Sequence, residues 1–84
     1  MEKLSNLPNI GPILEKKLIE ARVKTPDDLK KLGSKEAFLK IKNIDESACY
    51  NMLCALEGAI EGIRWHNLSD HKKKDLKKFF QDMN

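Results

Sequence analysis

The side chains able to move protons are Asp45, Glu46, Glu57, Glu61, His66 and His71, and those able to act as nucleophiles or soft metal ligands are Cys49 and Cys54. Catalysis would require an acid, a base or a nucleophile to converge on one pocket, and none of these residues falls in a recognisable catalytic constellation. Cys49 and Cys54 lie five positions apart, about 140° around a shared helix, which disfavours both a bridge and a common metal. They read as reduced, mostly packed thiols. His66 and His71 have no ligand spacing of the CxxC or HExxH kind. The expectation is therefore no enzyme, no metal, no cofactor and no small-molecule substrate. Glu57, set between Leu53 and Ile60, is expected to be partly buried and to hydrogen-bond to a neighbouring helix start.

Two other groups of residues suit binding. In LPNIGPILEKKL, residues 7–18, an Asn9-Ile10-Gly11-Pro12 break leads into an apolar-periodic helix. Open N–H groups at a helix start, aided by the helix dipole, can seat a phosphate. Such a corner needs residues that tolerate left-handed torsions, Gly11 first and Asn9 second. Lys16, Lys17 and Lys42 are the cations expected to touch phosphates beside it. With about three phosphates neutralised, the salt slope on duplex DNA would be near −2.7, which means weak binding at physiological salt. Gly11→Val is expected to destabilise this corner.

The second group is the small-residue stripe Ala55, Gly58, Ala59 and Gly62, followed by Trp65 and His66. A stripe of this kind allows either a close helix crossing within one chain or a seam between two copies. Trp65 either closes the core from a loop or anchors a partner. Gly58, Gly62, Trp65 and His66 are thus the candidate partner-binding residues.

The elements that would position these groups are all helical. Eighty-four residues at 40% hydrophobic and 35% charged make one globular domain, 1–84, with a single core, and exclude disordered and fibrous classes. No apolar run approaches the roughly 20 residues of a membrane span, and MEKLSNLPN lacks the apolar core of a signal peptide, so the expected location is cytoplasmic. The net charge of +3 comes wholly from the C-terminal segment: residues 1–63 carry ten basic and ten acidic residues, residues 64–84 six and three. That is short of the balance of a dedicated DNA binder.

Turn signals cut the chain into about five short helices. Leu4–Leu7 leaves room for about one turn. Pro12 opens a helix over 12–22 with Leu14, Leu18 and Ala21 inward. Thr25 caps the next, with Pro26 first, Asp28 at the capping-box position and Gly33 as the stop. Ser34 is expected to cap a third helix, buried through Ala37, Phe38 and Ile41, and Asp45 to cap a fourth spanning roughly 46–63. Ser69 caps the last, with Leu76, Phe79, Phe80 and Met83 inward and Lys72, Lys73, Lys74, Lys77 and Lys78 outward.

The stretch NIGPILEKKLIEARVKTPDDL resembles the helix-hairpin-helix family, in which hairpin amides and a helix start hold a DNA phosphate. Three positions depart from it: Ile13 stands where DNA-binding members often have lysine, Glu15 replaces a small packing residue, and Arg22 replaces the glycine after the helix. The ordered blocks LPNIGP, VKTPDDLKKLGSKEAF and NMLCALEGAIEGIRW are similar to the C-terminal domain of the TfoX/Sxy proteins, regulators of natural competence. That resemblance implies a small SAM-like helical domain with a helix-hairpin-helix-like corner and no catalytic residues. It also implies a part in promoting competence-gene expression, in some bacteria together with the cyclic-AMP receptor protein. The expected function is a non-catalytic interaction module, with a protein partner or self-association, and with weak sequence-independent DNA binding as the alternative.

Overall fold

Three of the helices begin where a proline or a hydroxyl removes or satisfies an orphan amide. The computed structural model describes residues 3–83, and among them forms five α-helices and no strand: α1 Pro12–Glu20, α2 Pro26–Leu32, α3 Ser34–Ile44, α4 Tyr50–Glu61 and α5 Asp70–Asp82. One-turn 3-10 segments at Leu4–Asn6 and Trp65–Asn67 precede α1 and α5. Pro12 and Pro26 stand at the starts of α1 and α2. The Thr25 hydroxyl accepts the Asp28 N–H at 3.0 Å, and the Ser69 hydroxyl accepts the Lys72 N–H at 3.0 Å.

Four expected boundaries moved, the first being the end of α1, which stops at Glu20 and not at residue 22 because Arg22 turns left-handed at φ +69°. Gly33, at φ +89°, ends α2 and also precedes α3, so Ser34 is the first residue of α3 and not its cap. The Ser34 hydroxyl instead donates to Glu57 Oε1 at 2.6 Å. Asp45 closes α3: its N–H donates to Ile41 O at 2.8 Å, while its carboxylate accepts the Ser47 N–H at 3.0 Å. That local turn ties up residues 45–47 and delays α4 to Tyr50. Gly62, at φ +76°, ends α4 in a left-handed turn, with the Ile63 N–H donating to Gly58 O at 2.9 Å. Only Gly58 is therefore a mid-helix glycine.

The core follows the periodicity of the sequence. Leu18, Leu29, Ala37, Phe38, Ile41, Leu53, Leu56 and Leu76 are fully buried, each large side chain contributing about 1.5–3 kcal/mol by leaving water. Helix α4 is central, packing on α2, α3, α5 and the Trp65 turn. Phe80 closes one end, 5.9 Å from the Phe38 ring and 6.1 Å from Tyr50. Cys54 is buried, but Cys49 is exposed, so only one of the two thiols is packed. No helix among the described residues is long and apolar enough to cross a membrane.

Candidate functional site

Asn9, and not Gly11, carries the left-handed torsion of the corner: its φ is +69°. Gly11 is extended at φ −94°, ψ −176°, with nothing within 4 Å of an added Cβ. An extended backbone is what a following proline demands, so Gly11 uses none of its special freedom. The basis for a destabilising Gly11→Val is thereby removed. The residue after α1 shows the reverse case, since Arg22 adopts φ +69° where the hairpin family has glycine.

The Asn9 side chain points into the protein. Nδ2 donates to Ile63 O at 2.9 Å and Ala55 O at 3.4 Å, and Oδ1 accepts the Trp65 N–H at 3.1 Å. Both ends of the amide are thus engaged by the chain around the end of α4. The clamp passes directly over Gly58, where an added Cβ would lie 2.5 Å from Asn9 Nδ2, 2.8 Å from Ile63 O and 3.2 Å from Trp65 Cα. This is a close crossing within one chain, and a second copy reaches Gly58 only by displacing Asn9. Of the other candidate partner residues, Gly62 and His66 are exposed, while Trp65 is half-buried against the core and stacked on His66 at 4.0 Å.

The candidate phosphate contacts divide. The first i−4 bond of α1 runs from the Glu15 N–H to Gly11 O at 2.9 Å, so the amides of Ile13 and Leu14 precede the helical ladder. Lys16, on α1, is exposed. Lys17 is tied to Asp45 in a close ion pair, and this bond, with those from Ser47, pulls the Asp45 carboxyl from 3.8 to about 2. Glu15 accepts the Ser5 N–H at 3.0 Å, placing a carboxylate beside the helix start. Lys42 lies 6.0 Å from the Phe80 ring, which turns it toward α5.

Sequence reading missed an apolar face. Ile13 is 76% exposed and Ile44 51%, and both line a groove with Lys16, Lys17, Glu20 and Asp45. Ile19, on the same helix, is 46% exposed. The available signal was phase, because Ile13 and Ile19 fall outside the Leu14, Leu18, Ala21 stripe. At the other side of α4, Glu57 takes the Ser34 hydroxyl and has Lys72 Nζ at 3.8 Å. Burial opposes its charge, but the hydrogen bond from Ser34 and the nearby Lys72 and Lys35 favour it, holding the carboxyl below its usual value. The expected bond to a neighbouring helix start is present, made through a side chain.

The sequence matches the TfoX C-terminal domain over residues 1–80. The chain belongs to this family. Two crystal structures resemble this TfoX domain along nearly its full length. One, the triclinic form of an uncharacterized protein from Listeria monocytogenes, is 57% identical with a TM-score of 0.96, covering 98% of this chain and 93% of that one. The other, a tetragonal form of a protein of unknown function from the same organism, is 58% identical with a TM-score of 0.95, covering 96% and 99%. No curated protein matches this TfoX domain.

Proposed function

We propose that this TfoX domain is a non-catalytic protein-binding module that acts in the cytoplasm in the regulation of competence or transcription. The carrying observation is the pair of outward isoleucines, Ile13 and Ile44, bordered by Lys16, Lys17, Glu20 and Asp45. An apolar centre inside a rim of both charge signs is the composition of a specific protein interface. The partner that fits is a protein surface offering an apolar side chain flanked by an acidic and a basic group. The face lies on two helices, one of them locked by the Asn9 clamp, so little ordering entropy is lost on docking. The regulatory role follows from what membership of the family implies.

The reading is tested with a double variant, Ile13→Lys with Ile44→Lys, compared with the parent by capture from native cytoplasm, with and without nuclease. Both side chains are exposed, so the melting temperature should stay within a few degrees. The expected result is a nuclease-resistant protein partner bound by the parent and lost in the variant. Capture identical in the two would overturn the reading.

Weak DNA binding at the start of α1 has one supporting observation, the exposed Lys16 next to the Ile13 and Leu14 amides. Against it stand the inward Asn9 amide and the Glu15 carboxylate. Capture abolished by nuclease and by Lys16→Gln would favour it.

A further inference from the structure

We propose that the outer face of α5 is a separate binding surface for the phosphodiester backbone of nucleic acid, contacted by Lys74, Lys77 and Lys78. These three lysines are exposed and spaced i, i+3 and i+4, which gathers them into one stripe about 100° wide and one helical turn long. Neighbouring cations are already engaged within the fold. Lys35 Nζ lies 2.8 Å from Asp75, Lys72 Nζ 3.8 Å from Glu57, and Lys73 Nζ donates to His66 O at 3.1 Å. Among the described residues none of Lys74, Lys77 and Lys78 enters an ion pair. Asp70 lies one turn before Lys74 and Asp82 one turn after Lys78, while Asp75, three residues before Lys78, is already paired with Lys35. Like charges at these spacings repel, and an external anion relieves that repulsion.

The choice of nucleic acid over an acidic protein rests on what the face lacks. Leu76 is fully buried, Phe79, Phe80 and Met83 are half-buried against the core, and no large apolar side chain of α5 is exposed. A protein partner would find no anchor there, whereas phosphate contacts need none. Lys42 comes from α3 to lie 6.0 Å from the Phe80 ring of α5. The surface is independent of the Ile13 and Ile44 face, and either can fail without the other.

The experiment is a fluorescence-anisotropy titration of labelled duplex DNA with the full chain, repeated across a salt series. Three neutralised phosphates give a log–log slope of about −2.7, or about 40-fold weaker binding between 50 and 200 mM salt. The triple variant K74Q/K77Q/K78Q should lose at least about tenfold in affinity at low salt while its melting temperature holds or rises, because the removed charges repel one another. K16Q should change affinity less than about twofold. The proposal is overturned by wild-type protein that fails to bind at up to about 100 µM in low salt, by binding that is lost in K16Q and kept in the triple variant, or by poly-glutamate displacing the duplex at equal charge concentration.

Discussion

Replacing Gly58 by alanine tests the Asn9 clamp at its tightest point. In an unobstructed helix interior, Gly→Ala should stabilise by about 1 kcal/mol. Here the new methyl would lie 2.8 Å from Ile63 O and 3.2 Å from Trp65 Cα, both backbone atoms, and 2.5 Å from Asn9 Nδ2. Overpacking of this kind costs about 1–3 kcal/mol. An Asn9 amide pushed aside also gives up two or three hydrogen bonds, each worth about 1 kcal/mol net. Subtracting the propensity gain leaves a loss of about 2–5 kcal/mol, a large part of the roughly 4–13 kcal/mol expected for a chain of this length. Thermal unfolding followed by far-UV circular dichroism should show a drop of at least about 8 °C. In an Asn9→Gly background, which keeps a residue suited to φ +69° but removes the amide, the Gly58→Ala penalty should shrink, giving a coupling of about 0.5–3 kcal/mol. A melting temperature at or above the parent's, or strict additivity of the two changes, would refute the geometry of the clamp.

Two more outcomes follow from the same region. Gly11→Ala should stay within about 0.5 kcal/mol of the parent in denaturant unfolding, since the position is open and extended; a loss above about 1 kcal/mol would mean that the corner is crowded after all. Because Lys17 and Ser47 hold Asp45 at about 2, below the ordinary 3.8, the folded state favours its charged form. That contribution is complete above about pH 4 and is lost as the pH falls toward 2. The melting temperatures of the parent and Asp45→Asn should therefore converge on acidification, and a gap that stays constant across that range would refute the ion pair.

What was legible in the sequence was local. The Thr25 and Ser69 caps each bond three residues ahead, and the prolines fix their own torsions, so composition and spacing were enough. Leu18, Phe38, Leu53, Leu56 and Leu76 were legible because one helical period selects them. Ser34 was misread because its hydroxyl serves Glu57, 23 positions away, and nothing in the segment around Ser34 reports that partner. Gly62 was read as mid-helix because Ile63 prolongs the apolar period, although the backbone has already turned left-handed. At the corner, the tolerance of glycine for unusual torsions said what Gly11 permits, not what it adopts. The Asn9 partners lie 46, 54 and 56 positions away, beyond the reach of any local rule. Ile13 and Ile19 were a missed signal of another kind, visible as two isoleucines out of phase with the stripe they interrupt.

The inward turn of the Asn9 amide also explains why the corner shapes a face without forming part of it. Residues 62–64 are irregular, and their backbone groups need partners that no helix or strand supplies. A glycine at position 9 would satisfy the torsion but leave Ile63 O and the Trp65 N–H without the amide that now meets both. Asparagine answers the two needs at once, which fixes the entry into α1 from the exit of α4. With that entry fixed, and Leu14, Leu18 and Ala21 committed inward, Ile13 has no route to the core and stands 76% exposed. Its exposure follows from that phase, so the corner that turns the Asn9 amide inward also leaves an apolar side chain facing solvent.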